Sequence, residues 1–365
     1  MLGRLKMDVD ECIDSYSKLS SKAFTRKAYL PFTMAGNIHE RFDSKQLELA
    51  LKQVIVDRGY DQETLLKDPD TSCRVVLCAT RGETCSIACL RSYPNARDCS
   101  ELYNTTTIWQ AGRATSAASS FFDPVTIGAY GLKFFDGATG ANNPIRHMWL
   151  EAKDVWSSEP LENQLGCIVS IGTGVPTTSH CETKGIKGLM TLKEAATDTE
   201  RIEKEFAQDH SELFENNRYF RFNVPDGLDK IGLEKVSKID LIVNITQDYL
   251  ARDVVHERIH TCAGSLDNVR SPSRPRSPKS SPWELTGLMR AQANIDQGKL
   301  LVTKLTNIVL YLSHLLIIQG YGESYELVQN PTHSCAVYEQ TQCQPRTQKG
   351  KFLDLFRSRK YPVAV

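Results

Sequence analysis

Hydrophobic residues recur at helical spacing in the first part of the chain. One such segment runs from residue 9 to about 19, where Asp8 and Glu11 are placed to cap its beginning. A second runs from about residue 44 to 57 and is followed by Gly59, a residue that commonly ends a helix. Both segments are predicted to be amphipathic helices. Their apolar positions are Val9, Cys12, Ile13, Tyr16 and Leu19, and Leu47, Leu51, Val54 and Ile55.

Three short apolar runs are typical of buried strands. They cover residues 73–79, 132–135 and 165–171, and strands buried on both faces are characteristic of parallel sheets. Between the second and third runs, Asn143-Pro144 begins a helical pattern that extends to Trp156. A strand, a helix and a strand in this order predict a right-handed crossover in a parallel sheet. The carboxyl ends of both strands would then share one edge, where such sheets carry their functional residues.

Further elements are predicted before the pattern changes near residue 270. Helices are predicted at residues 192–214 and 246–262, with an alternating strand at 219–224 between them. Residues 270–282 are rich in proline, serine and basic side chains, which is typical of a disordered linker. The apolar run at 308–318 is shorter than the roughly 20 residues that cross a bilayer, which favours a packed or amphipathic helix. We therefore expect a folded domain at 1–265, a linker at 266–283 and a partly helical tail at 284–365.

Charge and cysteine usage restrict the classes of function. The formal net charge is zero, whereas nucleic-acid-binding domains are usually basic, so no nucleic-acid partner is expected. The eleven cysteines include no Cys-x-x-Cys pair, and the first residues lack the apolar core of a secretory signal. Both features favour reduced thiols in a cytoplasmic protein. No metal site and no cofactor are predicted.

Asp136-Gly137-Ala138 is the segment most indicative of chemistry. It follows a predicted strand, and an acidic residue before a glycine at a strand end is a common way to present a catalytic carboxylate. The usual partner of such a carboxylate is a serine on a Gly-x-Ser-x-Gly turn. No such pentapeptide occurs in the 365 residues.

Four segments together resemble the later part of a patatin-like phospholipase domain, of the kind common in fungal multidomain proteins. They are residues 109–118 (Trp-Gln-Ala-Gly-Arg-Ala-Thr-Ser-Ala-Ala), 134–138 (Phe-Phe-Asp-Gly-Ala), 142–144 (Asn-Asn-Pro) and 170–174 (Ser-Ile-Gly-Thr-Gly). The resemblance covers residues 1 to about 263. It implies an α/β fold with three layers, α/β/α, incomplete at the amino terminus.

The resemblance also implies an acyl hydrolase that uses a serine and an aspartate without a histidine. Asp136 matches the aspartate that accepts the serine proton, and Gly137 and Ala138 complete its motif. A carboxylate with a pKa near 4 is a weak base for a hydroxyl group, so such an enzyme depends strongly on its oxyanion hole. The implied substrate is a phospholipid or another acyl ester, with a peripheral contact to membranes and no metal or cofactor.

The nucleophile and the glycine-rich oxyanion loop of the family have no matching positions here. Ser116, Ser119 and Ser120 are expected to be packing or helix-capping residues. Ser170 is expected to be buried in a strand. His39, His147, His180 and His256 show no pattern of catalytic partners. Three interpretations stay open: the sequence begins inside a longer hydrolase, it is an inactive remnant that binds lipid or a partner protein, or the fold is unrelated.

Overall fold

The computed structural model describes helices and strands over most of the first 270 residues and two short strands near the end. The described residues are 1–27, 40–68, 73–95, 101–118, 121–156, 160–175, 192–225, 227–228, 231, 236–270, 325–329 and 363–364. Residues 266–270 of the expected linker at 266–283 belong to a helix that ends at Arg270. The rest of that linker, most of the tail and the apolar run at 308–318 lie outside the described ranges.

The described helices follow the hydrophobic periodicity of the sequence closely in the first part of the chain. The α-helices are α1 (Val9–Ala23), α2 (Ser44–Asp57), α3 (Glu101–Thr105), α4 (Ile108–Thr115), α5 (Ala138–Ala141), α6 (Ile145–Val155), α7 (Leu161–Gln164), α8 (Leu192–Asp209), α9 (Ser211–Glu215), α10 (Ile239–Leu250) and α11 (Asp253–Arg270). A 3₁₀ turn at Val236–Lys238 precedes α10. The predicted capping pair of α1 is confirmed, because Asp8 accepts from the Glu11 amide at 2.8 Å and Glu11 accepts from the Asp8 amide at 2.9 Å.

The strands form one mixed sheet. They are β1 (Arg74–Arg81), β2 (Ile87–Arg91), β3 (Val125–Ile127), β4 (Leu132–Asp136), β5 (Cys167–Ile171), β6 (Tyr219–Phe222), β7 (Tyr325–Gln329) and β8 (Val363–Ala364). Their order is β3-β4-β1-β8-β7-β5-β6, and β2 pairs with β1. The pairs β1–β8 and β5–β6 are parallel, and the other pairs are antiparallel.

The predicted parallel crossover from β4 to β5 is wrong. β4 is antiparallel to β1, and the pairings through β8 and β7 make β5 parallel to β1. β4 and β5 therefore run in opposite directions, so their carboxyl ends do not share an edge. The crossover rule holds for neighbouring parallel strands, whereas β4 pairs instead with β1, more than fifty residues earlier in the chain.

Helices pack on both faces of the sheet, which agrees with the predicted α/β class. On one face, Cys167, Val169 and Ile171 of β5 pack with α1, α2, α10 and α11. On the other face, Ile168 of β5 packs with α6 and α8. This division follows from the alternation of side chains along a strand. Within the described residues, no helix is both long enough and apolar enough to cross a membrane.

Candidate active site around Asp136

The main chain of Asp136 is fixed by two elements that are distant in sequence. Its amide donates to the carbonyl of Ala117 at 3.1 Å, and its carbonyl accepts from the hydroxyl of Thr80 on β1 at 2.8 Å. Asp136 also stands opposite Ala79 in the β1–β4 pairing. The last residue of β4 is therefore held between β1 and the segment that follows α4.

The side chain of Asp136 is buried, with 4% of its surface exposed. Its Oδ1 atom accepts a hydrogen bond from the amide of Ala138 at 2.9 Å. Burial raises the pKa of Asp136 to about 7, against the smaller opposing effect of the Ala138 hydrogen bond. The expectation of an ordinary pKa near 4 is thus wrong, because burial disfavours the charged carboxylate. A general base works best when its pKa lies near the working pH, so this environment suits Asp136 to that role.

Gly137 is required by a close approach between β4 and β1. A Cβ atom at this position would lie 2.4 Å from the carbonyl oxygen of Cys78, closer than any real contact. The chain then turns at once into α5, where the amide of Ala141 donates to the Gly137 carbonyl at 2.8 Å. This turn brings the Ala138 amide within reach of the Asp136 carboxylate.

The segment 109–118 supports the main chain of Asp136. α4 begins with a capping box in which Thr107 and Gln110 exchange hydrogen bonds. Ala111, Ala114 and Ala117 are almost completely buried, and their small side chains allow the helix to approach the sheet closely. Two of the segments that carry the family resemblance are therefore joined in space through the Ala117–Asp136 hydrogen bond.

A charged cluster holds the segment 109–118 in place through Arg113. The guanidinium of Arg113 donates to the carbonyl of Asp123 at 2.6 Å, and the Asp123 carboxylate accepts from Ser44 at 2.7 Å and pairs with Lys27 at 2.9 Å. Burial favours a higher pKa, but the hydrogen bonds from Ser44 and Lys27 outweigh it and lower the pKa of Asp123 to about 2. Asp123 is therefore a charged structural group rather than a base.

The third segment, Asn142-Asn143-Pro144, connects α5 to α6 and α8. Asn142 donates to the hydroxyl of Thr199 at 2.6 Å, and Asn143 accepts from the amide of Ile145 at 3.2 Å. α6 begins at Ile145, one residue later than predicted. This segment therefore orients the helices that follow Asp136.

The fourth segment, 170–174, lies at the end of β5. A Cβ atom on Gly172 would lie 2.5 Å from Oδ1 of Asn223, and that same oxygen accepts from the Gly174 amide at 2.7 Å. Gly174 has a φ of +117°, which favours glycine. β4 and β5 run in opposite directions. Asp136 at the end of β4 and this loop at the end of β5 therefore do not lie at the same edge of the sheet, contrary to the prediction.

The polar partners of this loop were missed by sequence reasoning. Ser170 is fully buried, as expected, and accepts from Arg221 at 2.8 Å. Asn223 donates to Glu200 of α8 at 2.9 Å. Arg221 and Asn223 lie on and just after β6, where only the alternation of residues was visible in the sequence. Their partners are set by the parallel pairing of β5 with β6.

Of the remaining candidate serines and histidines, the structure describes Ser116, Ser170, His147 and His256. Ser116 is largely buried just after α4, and Ser119, Ser120, His39 and His180 lie outside the described residues. Burial lowers the pKa of His147 on α6. No group of three or more histidine, cysteine or acidic side chains within the described ranges could hold a metal ion.

Comparison with known proteins relates the chain to phospholipases. It is 29% identical over 254 residues to calcium-independent phospholipase A2-gamma of Mus musculus, and 31% identical over 256 residues to that of Rattus norvegicus. It is 37% identical over 131 residues to phospholipase A I of Arabidopsis thaliana, in an alignment covering 35% of this chain and 9% of that protein. No family model matches the chain.

The alignments with the two mammalian proteins cover 66% of this chain and 31% of each relative. The chain therefore spans about a third of their length. This similarity supports the α/β fold described above, and it agrees with the resemblance carried by the four segments.

Proposed function

We propose that this chain carries the general-base part of a lipid acyl hydrolase of the patatin-like phospholipase A type, with Asp136 as the proton acceptor. The observation that carries the proposal is the buried position of Asp136, where burial raises its pKa to about 7. Strongly shifted carboxylates are frequent at functional sites. The names of the relatives supply the substrate class, a phospholipid.

In this mechanism a serine hydroxyl attacks the ester carbonyl and passes its proton to Asp136. Because Oδ1 already accepts from the Ala138 amide, Oδ2 is the oxygen assigned to that proton. The protonated aspartic acid then donates to the leaving alcohol, and the ionised form activates the water that hydrolyses the acyl intermediate. Only ionised Asp136 starts the cycle, so the rate should rise with pH through about 7 and then level off.

The 365 residues contain no Gly-x-Ser-x-Gly turn that could supply the nucleophile of this mechanism. Removing the serine of subtilisin costs about a million-fold in kcat, and each oxyanion donor there contributes roughly 3–4 kcal/mol. We therefore expect these residues alone to hydrolyse no p-nitrophenyl ester above background. Turnover by this chain that Asp136→Ala abolishes would overturn that assignment.

The first test is to sequence the 5′ end of the transcript, in frame, upstream of Met1. If a Gly-x-Ser-x-Gly run is joined to Met1-Leu2-Gly3, the extended protein should release fatty acid from phosphatidylcholine vesicles. Asp136→Asn should remove that activity, while Asp248→Asn, an exposed aspartate on α10, should leave it intact. Equal activity in both variants would contradict the role of Asp136.

A stop codon close upstream would favour the second candidate, a catalytically inactive module that binds lipid or a partner protein. The absence of the serine turn from the 365 residues is the observation in its favour. Co-sedimentation with phosphatidylcholine vesicles tests the lipid-binding form and, with it, the peripheral membrane contact. Binding that Asp136→Asn leaves unchanged would support the module, whereas no binding to vesicles would leave a protein partner as its remaining ligand class.

A further inference from the structure

Two exposed histidines stand one turn apart on α11. They belong to the run His256-Glu257-Arg258-Ile259-His260, which lies within the helix Asp253–Arg270. Ile259 is almost completely buried in the core, whereas both histidines are exposed. Residues four apart on a helix share a face, and the two imidazole rings are in contact, with centroids 4.6 Å apart and planes inclined at 58°.

This ring separation fits a shared metal ion. An ion about 2.0 Å from one nitrogen of each ring lies about 3 Å from each ring centroid, so bond angles between octahedral and tetrahedral place the centroids about 4.2 to 4.9 Å apart. The observed separation of 4.6 Å lies within this interval. Two histidines four apart on one helix face are also the pair that binds zinc in the His-Glu-x-x-His motif of metalloproteases.

The two neighbouring arginine side chains lie over aromatic rings. The guanidinium of Arg258 lies over the ring of Phe220 at 5.9 Å, and that of Arg252 lies over the ring of Tyr249 at 5.8 Å. Asp253 and Glu257 contribute negative charge along the same two turns. The environment of the histidine pair is therefore compatible with the positive charge of a bound ion.

We propose that His256 and His260 form a two-histidine site for a divalent transition-metal ion of the nickel, copper and zinc group. Neutral imidazole suits these ions, whereas calcium and magnesium prefer oxygen ligands. The described part of the chain contains no three-residue ligand group, so water completes the coordination. The proposal is accordingly an open surface site and not a protease centre, which needs a third protein ligand.

Binding should couple to the stability of α11. The two rings converge only when residues 256–260 are helical, so an ion bound to both favours the folded form by mass action. The helix packs onto the core through Ile259, Cys262, Ala263 and Leu266. The midpoint of thermal unfolding should therefore rise with the concentration of the ion.

The test uses the full chain, reduced, and titrates it with NiCl2 in a calorimeter. His256→Asn and His260→Asn should each weaken binding at this site by more than about tenfold, because the helix holds the second imidazole at a high effective concentration. The matched control is the double variant H260N/T261H, which keeps both imidazoles but moves one of them off the shared face. Thr261 is exposed, so this variant should fold, and it should lose affinity like the single variants.

Thermal unfolding with and without NiCl2 gives the second measurement. The midpoint should rise in the wild-type chain and should not rise by the same amount in the three variants. The proposal is overturned if nickel affinity and the thermal shift are the same in wild type and in His256→Asn. It is also overturned if H260N/T261H binds as tightly as wild type, because the shared face would then be irrelevant.

Discussion

Replacing Asp136 by asparagine should stabilise the protein at neutral and higher pH. Asparagine has nearly the same shape, and its Oδ1 can still accept from the Ala138 amide, which lies 2.9 Å from Asp136 Oδ1. It removes the cost of holding a charge in a buried site. The change therefore separates the ionisation of Asp136 from its packing.

The magnitude follows from the pKa in the two states. The carboxyl has a pKa of 3.8 in the unfolded chain and about 7 in the folded protein. Between these values the folded protein binds one proton more than the unfolded chain, so the free energy of unfolding falls as pH rises. The slope is about 1.4 kcal/mol per pH unit, which over about three units amounts to about 4 kcal/mol. Above pH 7 this contribution is constant.

The assay is urea unfolding of wild type and Asp136→Asn at several values between about pH 4.5 and pH 8. We expect similar stability near the acid end and a gain of about 2–4 kcal/mol for the variant at the alkaline end. The lower figure allows for the N–H₂ group of the introduced asparagine, which would be imperfectly hydrogen-bonded in the buried site. Taking the difference between the two proteins cancels the titration of all other groups.

Asp123→Asn is the matched control, since the pKa of Asp123 is lowered instead of raised. It should lower stability at neutral pH, because it removes a carboxylate paired with Lys27. The reasoning on Asp136 is refuted if the difference between Asp136→Asn and wild type stays constant from acid to alkaline pH. Such a result would mean that Asp136 ionises with the same pKa in the folded and unfolded protein.

Two further substitutions test the surroundings of the site by urea unfolding. Gly137→Ala should cost about 3 kcal/mol or more by overpacking, because its Cβ would lie 2.4 Å from the Cys78 carbonyl, and an unchanged stability would show that β4 and β1 are less closely packed. Arg91→Met should cost about 3–5 kcal/mol, because it leaves the buried Glu151 charge without its ion pair. The double variant R91M/E151M should recover much of that loss, and a double variant no better than Arg91→Met would contradict this account.

The first two helices were predicted well because their signals are local, whereas the single helix predicted at 246–262 is wrong, since α10 ends at Leu250 and α11 begins at Asp253. The spacing of apolar residues and the capping pair at Asp8 and Glu11 predicted the beginning of α1, and α2 was predicted with its observed bounds. The strands were also located, with β1 and β5 within two residues of the predicted bounds at each end. Local periodicity is therefore sufficient for the position of these elements.

Strand direction could not be predicted in the same way. Whether β4 runs with or against β5 depends on its pairing with β1, more than fifty residues earlier, and on β7 and β8 near the end of the chain. The tail was expected to be partly helical and no strand was predicted in it, so these two strands were not expected. Hydrophobic runs show that a strand is buried but carry no information about its neighbour.

The structure places Asp136 at the end of a strand, as expected, but its electrostatics could not be predicted. Asp136-Gly137-Ala138 was recognised from the motif, whereas the raised pKa depends on which groups bury the carboxylate. The histidine pair on α11 was overlooked, because His256 was weighed only as a partner for a serine. The spacing of His256 and His260 was nonetheless a readable signal.

A comparison of two buried carboxylates supports the proposed role of Asp136 in proton transfer. Glu151 is 6% exposed and accepts from Arg91, Tyr93 and Asn95, and these partners outweigh burial and lower its pKa. Asp136 is equally buried and accepts from the Ala138 amide, but in its case burial prevails and raises the pKa to about 7. A buried charge without a counter-ion opposes folding, so a purely structural role at this position would be better served by a neutral side chain. A carboxylate held at this cost with its pKa near neutrality is what proton transfer requires.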